Sequence, residues 1–362
     1  MNYLVRQKKF RQYLATTRYD SFLVSYLPNI RYLCGFTGSA GFLLVEPEDN
    51  VFFTDVRYDT QAHEEVRGAR VLIAREAVLQ ALADHWPRRR RRGRGYVVGL
   101  ESEHCTIADK KRLSKSRPSG VRLKDAPCSV ERFRMMKDEE ELKLIRAAVS
   151  LGATLFDRTL QVLRAGVKET EVAAEMELAA RKAGAEAMSF ETIIASGARS
   201  ALPHGRASEQ VIQPGGFVVC DFGVILKGYC SDQTRTVWVG DVSADARQAY
   251  EAVREAQQAA IDAVRPGATC GDVDEAARKV LRKAGLGKYF THSTGHGVGL
   301  EIHEAPRVAA GQKEVLKPGM VITIEPGVYF PGKWGVRIED MVVVTASGCE
   351  VLTPTSKDFL AV

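Results

Sequence analysis

Four short stretches of this 362-residue chain carry carboxylates or imidazoles where the surrounding sequence is strand-like or rich in glycine. Asp221 lies in 217–223 (FVVCDFG) and Asp232 in 229–239 (YCSDQTRTVWV), with the turn signal Lys227-Gly228 between them. A two-residue turn centred on 226 and 227 sets the aspartates directly opposite each other. Moving it on by one place makes them diagonal neighbours on the same face. Directly opposed residues have Cβ atoms about 4.5–5.5 Å apart, where like charges destabilise. Solvent, Arg235 or a divalent cation would have to neutralise the pair.

The second stretch, 291–304 (THSTGHGVGLEIHE), holds three of the seven histidines, His292, His296 and His303. Glycine lets backbone approach a site closely, and neutral imidazole is a common metal ligand. Spacing alone leaves open which of the three would bind. Glu325, in 321–327 (VITIEPG), and Glu339, in 335–340 (GVRIED), each interrupt a strand rich in β-branched residues. Strand alternation groups Thr323 with Glu325, and Arg337 with Glu339 and Met341. Either glutamate alone is compatible with a strand-edge charge facing water; inside an apolar strand it needs a partner or a cation. Two Asp, two Glu and one His form an oxygen-rich set suited to Mn, Co or Zn. Two divalent cations would cancel its four negative charges, and paired cations of this kind activate water for hydrolysis.

The elements that must position these residues fall into two groups. Residues 1–127 alternate helices (4–16, 58–66, 77–86) with short strands (21–26, 71–74, 96–100), plus a hairpin from 41–45 and 51–54. That pattern predicts a small α/β domain. A linker is expected over 128–137, and a second domain over 138–362. It begins with a capping pair, Asp138 and Glu141, before a long helix ending near Gly166. Further helices are expected over 169–183, 244–264 and 273–284, stopped by Gly184, by Pro266-Gly267 and by Gly285. From Thr291 onward the sequence reads as strands and turns.

Composition narrows the classes. Apolar residues make up 45% and charged residues 27%, ordinary for a globular protein. No apolar run approaches the roughly 20 residues of a membrane span. The first residues lack a signal-peptide pattern, so a cytoplasmic location is expected. The seven cysteines are scattered and never spaced as Cys-x-x-Cys, which argues for reduced, mostly buried thiols. Arg88, Arg89, Arg90, Arg91, Arg92 and Arg94 account for the whole net charge of +6. No aromatic residues interleave with them to stack bases, so a solvated loop is favoured over nucleic-acid binding.

The spacing of these motifs resembles that of the proline-specific pita-bread metallopeptidases, the family of Xaa-Pro dipeptidase (prolidase) and aminopeptidase P. In the first half, 31–41 (RYLCGFTGSAG) and 55–58 (DVRY) resemble the family's accessory domain; in the second, the Asp–Asp–His–Glu–Glu series resembles its catalytic domain. The resemblance implies an α+β fold, with an N-terminal creatinase-like α/β domain followed by a C-terminal pita-bread (creatinase/aminopeptidase) catalytic domain. It implies two divalent ions, manganese first, with cobalt or zinc as alternatives. Asp221 would bind one ion, Asp232 and Glu339 both, and His296 and Glu325 the second. His204, in 201–205 (ALPHG), would contact the substrate or its developing oxyanion, His303 would hydrogen-bond the peptide carbonyl, and His292 would line the proline pocket. Arg337 would orient this shell and contact substrate, with Tyr229 and Asp340 as supports. The catalytic group is then His204, His303, Glu325 and Arg337. The reaction implied is metal-assisted hydrolysis of the bond between an N-terminal residue and proline. Its partners would be a peptide with proline second and another copy of the chain in a homodimer, with neither membrane nor nucleic acid involved. A methionine aminopeptidase-like enzyme and a non-catalytic binding protein on the same fold are the competing readings. A creatinase-like enzyme would lack the metal ligands.

Overall fold

The structure, a computed structural model, describes residues 1–86 and 95–362, so the arginine run 88–94 lies outside the described residues. The chain divides into two compact units, Met1–Arg134 and Met135–Val362. The segment expected as a linker includes a short helix, Glu131–Arg134, that belongs to the first unit.

In chain order the first unit runs α1 (Tyr3–Ala15), β1 (Ser21–Val24), α2 (Leu27–Cys34), β2 (Phe42–Val45), β3 (Asn50–Asp55), α3 (Asp59–Glu65), β4 (Arg70–Ala74), α4 (Val78–His85), β5 (Tyr96–Glu101), α5 (Ile107–Ser116), β6 (Val121–Ala126) and α6 (Glu131–Arg134). Its sheet has the order β4-β3-β2-β1-β5-β6. β2 is antiparallel to both neighbours and every other pairing is parallel. The expected hairpin is β2–β3, closed at Val45↔Asn50. Helices α2 and α5 and strand β6 add to the elements expected from sequence.

The second unit opens with α7 (Glu139–Val162) and α8 (Glu169–Lys182). The expected cap forms at α7: Glu141 N donates to Asp138 Oδ1 (2.9 Å) and Asp138 N to Glu141 Oε2 (3.0 Å). Next come β7 (Ala187–Met188), β8 (Ile193–Ser196), β9 (Gly216–Phe222), β10 (Val224–Leu226), β11 (Tyr229–Cys230) and β12 (Gln233–Val239), then α9 (Ala244–Ala263) and α10 (Cys270–Lys283). The remaining strands are β13 (Gly295–Gly297), β14 (Glu304–Val308), β15 (Val321–Ile324), β16 (Gly327–Phe330), β17 (Trp334–Arg337), β18 (Asp340–Val344), β19 (Cys349–Val351) and β20 (Leu360–Ala361). Two sheets dominate, β20-β12-β9-β8 and β14-β13-β15-β18-β19. Leu155, Phe156, Val172 and Met176 of the first helix pair pack with Val218, Phe222 and Val237. Tyr250, Val253, Val273 and Leu281 of the second pair pack with Phe217, Ile322, Ile324 and Val342. Burial of these apolar faces is the main force holding each layer together.

All seven cysteines are free; four are buried, Cys105 and Cys349 half-buried, and Cys128 exposed. Among the described residues no helix is long and apolar enough to cross a membrane.

Candidate metal centre

Register decides how the first two carboxylates meet. Lys227 and Gly228 both take positive φ (49° and 83°), the two-residue turn that suits the strand twist. Leu226 pairs with Tyr229, and the same register continues to Asp221↔Thr234. Asp232 is therefore the diagonal neighbour of Asp221, the second of the two arrangements that the sequence allowed. Both are nearly buried. Arg235 does not neutralise them. Its guanidinium donates instead to Asp340 Oδ1 (2.7 Å), to the carbonyls of Thr234 (2.9 Å), Ser356 (2.9 Å) and Thr355 (2.7 Å), and to that of Glu339.

The other ligand candidates arrive from the five-stranded sheet. β13 lies so close to β15 that a Cβ on Gly295 would stand 1.9 Å from the Thr323 carbonyl oxygen, so only glycine fits there. This approach brings His296 N to Thr323 Oγ1 (3.1 Å), while the same hydroxyl lies 3.4 Å from Glu325 Oε1. Glu339 sits between β17 and β18 and accepts from Thr234 Oγ1 (2.8 Å) on β12. Asp221, Asp232, His296, Glu325 and Glu339 thereby line one cavity of about 640 Å³, together with His204, His292, His303 and Arg337. All nine residues singled out as site candidates from sequence face this one space. Tyr229 and Asp340 do not: Tyr229 donates to Glu141 Oε1 (2.9 Å), and Asp340 receives Arg235, Gln257 and Lys357.

The electrostatics call for a cation. Burial and then the neighbouring Glu339 hold the Asp232 carboxyl well above the usual carboxylate range. Burial, with Glu325 beside it, does the same to Glu339. Glu325 is pushed up to about 8, mainly by burial. One oxygen of Asp221, Oδ1, is buried without a hydrogen-bond partner, while its other oxygen accepts from Arg337 Nη2 (2.5 Å). Burial lowers His296 to about 4, so its ring is neutral at physiological pH. His296 Nδ1 lies 3.0 Å from the Gly297 carbonyl and must be the donor there, which leaves a lone pair on Nε2. That lone pair faces Asp232 Oδ2 at 3.6 Å and Glu325 Oε1 at 3.4 Å. A bare imidazole nitrogen facing buried carboxyls that ionise readily only beside positive charge fits a metal ion. Ligand atoms of Asp232, His296 and Glu339 all lie within 4.8 Å of one another, as one ion would require.

A second network braces the wall of the cavity. Arg337, buried, donates to Asp221, to Thr234 Oγ1 (3.1 Å), to the Pro203 carbonyl (3.1 Å) and to Tyr329 OH (2.7 Å). Tyr329 is pushed up to about 12 by burial and keeps its proton. It lies 2.9 Å from His292 Nε2, and His292 Nδ1 lies 2.8 Å from the Ser293 carbonyl. Burial also lowers His292 to about 4. The proton order is thus fixed: Arg337 donates to Tyr329, Tyr329 to His292, and His292 to backbone. His303, lowered by burial and by His204 beside it, packs edge-on to His296 at 4.4 Å between ring centroids. Sequence reasoning did not single out Tyr329, Thr234 or Arg307. The turn Pro331-Gly332 between two strand-like runs could have flagged Tyr329, since the β16–β17 pairing makes it the diagonal neighbour of Arg337. Arg307, exposed on β14, pairs directly opposite His296 and lines the cavity.

Known proteins share both units. Residues 6–136 match the Creatinase/Prolidase N-terminal domain and residues 143–346 match Metallopeptidase family M24. The chain is 35% identical to the Xaa-Pro dipeptidase of Pyrococcus horikoshii over 98% of each chain. It superposes on the Xaa-Pro dipeptidase from Bacillus anthracis with a TM-score of 0.94, 37% identity and complete coverage of both chains. The X-Pro aminopeptidase from Thermotoga maritima gives 0.87 at 35% identity, over 97% of this chain and 99% of the other. With a creatinase-like domain ahead of a catalytic domain whose cavity gathers carboxylates and histidine, this chain belongs to metallopeptidase family M24.

Proposed function

We propose that the chain is an Xaa-Pro dipeptidase that uses two divalent metal ions, manganese first among them. The bare Nε2 of His296 facing the Asp232 and Glu325 carboxylates is the observation that carries the metal part. Asp221 would hold one ion, His296 and Glu325 the other, and Asp232 and Glu339 would serve both. Bound divalent ions at such a site supply Lewis-acid polarisation of the scissile carbonyl and neutralise the carboxylates.

The chain's own residues supply the rest. His204 and His303, on the cavity wall beside the carboxylates, donate to the carbonyl oxygen as charge develops on it. Glu325 accepts a proton from the attacking water, whose oxygen bonds to the scissile carbon, and returns that proton to the proline nitrogen as the C–N bond breaks. His292, locked by Tyr329, forms a fixed wall against the proline ring, and Arg337 holds Asp221 in place.

The dipeptide reading draws support from relatives named as Xaa-Pro dipeptidases over almost the whole chain. Arg307, opposite His296 on the cavity wall, also offers a cation to the free carboxylate that a dipeptide presents just beyond proline. The likeness to an X-Pro aminopeptidase favours longer substrates as a second reading. The resemblance further supports a homodimer acting in the cytoplasm, with no nucleic-acid partner. Assay of manganese-loaded protein on Ala-Pro and on Ala-Pro-Ala-Ala separates the readings. Cleavage of the dipeptide alone is expected; release of alanine from the tetrapeptide would establish the aminopeptidase instead, and failure on both would remove the enzymatic reading.

A further inference from the structure

The wall that carries His292 is held from outside the cavity by two residues of α10. Asp274 is fully buried. Its Oδ1 accepts from Thr294 N (3.2 Å) and Thr294 Oγ1 (2.8 Å), and its carboxylate takes Arg278 Nε (2.7 Å) and Nη2 (3.2 Å) one helical turn later. Arg278 spends its remaining donors on backbone, Nη2 on the His292 carbonyl (2.6 Å) and Nη1 on the Phe290 carbonyl (3.3 Å), with its guanidinium 4.3 Å from the centre of the Phe290 ring. Neither side chain lines the catalytic cavity.

The segment so clamped is otherwise irregular backbone between the end of α10 and β13. A loop without ladder hydrogen bonds keeps one conformation only if something external fixes its carbonyls and amides. Here one planar fork reaches two carbonyls two residues apart, and its orientation is set by a buried carboxylate on the same helix face. Lysine carries the same charge but presents a single point donor, which cannot serve both carbonyls and the carboxylate in this geometry.

We propose that Arg278, anchored by Asp274, is a positioning residue for His292: it sets the height and orientation of the imidazole against the substrate and acts on catalysis only through it. The proposal rests on the reading of His292 as a substrate-contacting residue. Displacing a substrate-contacting group by about 1 Å costs on the order of 100-fold in rate, so Arg278→Ala should lower kcat/KM by about 10- to 100-fold, mostly through KM. Bound metal per chain should be unchanged, because Asp274 still holds Thr294.

The test is a double-mutant cycle with Arg278→Ala, His292→Ala and the double variant on Ala-Pro, joined by Arg278→Lys. If Arg278 works through His292, the double variant is no slower than His292→Ala alone, and Arg278→Lys fails to restore wild-type KM. Losses that multiply, or wild-type kinetics in the lysine variant, overturn the proposal. A readout independent of turnover comes from imidazole NMR of the metal-free protein, with the His292 Nδ1–H signal identified by its loss in His292→Ala. It should exchange slowly in the wild type and at least about tenfold faster in Arg278→Ala. Equal exchange in the two refutes the clamp even if the protein proves to cleave another bond. Should the alanine variant fail to fold, the lysine variant carries both measurements.

Discussion

Replacing Tyr329 by Phe isolates the relay that joins the Asp221 side of the cavity to His292. The phenyl ring keeps its packing, so no cavity opens, and only the hydroxyl is lost. That hydroxyl takes a hydrogen bond from the Arg337 guanidinium at 2.7 Å and gives one to His292 Nε2 at 2.9 Å, and both groups are held in the interior. A hydrogen bond to a charged group contributes about 1.5–3 kcal/mol and a neutral one about 1 kcal/mol. Arg337 Nη1 retains the Pro203 carbonyl at 3.1 Å, which limits its loss. The second unit should therefore lose roughly 2–3 kcal/mol. Urea unfolding of the metal-free protein measures this, in a Trp86→Phe background so that fluorescence reports Trp238 and Trp334 of the second unit. The same variant should lose about tenfold in kcat/KM, since the freed imidazole samples other orientations. A midpoint shift equivalent to less than about 0.5 kcal/mol, together with unchanged kinetics, would mean that the tyrosine is merely a core aromatic and that the relay has no energetic content.

Three further outcomes are expected. Asp232→Ala or Glu339→Ala should abolish bound metal and turnover while circular dichroism stays unchanged, and undiminished turnover in either would end the two-metal reading. His292, lowered to about 4 from the 6.5 of an unfolded chain, favours folding fully above pH 6.5. As pH falls from 6.5 to 4 the unfolded chain takes up the proton first, so stability drops by at most ~3 kcal/mol, and His292→Gln should flatten this part of the pH–stability curve. Gly295→Ala would drive a methyl into the Thr323 carbonyl, and a loss of at least ~1–3 kcal/mol with weakened metal binding is expected from calorimetry and metal titration.

Helices announced themselves where punctuation was chemical. Asp138 with Glu141, Gly184 and Gly285 mark ends in the sequence because capping and positive φ demand those residue types. α2 carried comparable marks, Pro28 in its first turn and Gly35 at φ 90°, but its eight residues are too few for periodicity to stand out. α5 buries only Leu113, so its sequence has no apolar stripe to read. At the site, the residue types pointed to a metal because carboxylates in apolar strands are costly anywhere else. What stayed hidden depends on register across long separations. Tyr329 reads as one more core aromatic until its strand is paired with the strand of Arg337. Arg307 reads as a surface cation until β14 is laid against β13. The clamp of Asp274 and Arg278 reads as an ordinary i,i+4 helix pair.

The bonds of Arg235 tie the strands of the site to a distant part of the chain. Two of its carbonyl partners, Thr355 and Ser356, lie about 120 positions further along the chain, and Leu360–Ala361 adds a strand beside β12. Without that segment the guanidinium beneath Thr234 and Glu339 lacks two of its carbonyl acceptors, and β12 lacks a neighbour on one edge. Truncation before Thr355 should therefore keep every ligand candidate in the chain and still loosen the frame that aligns them.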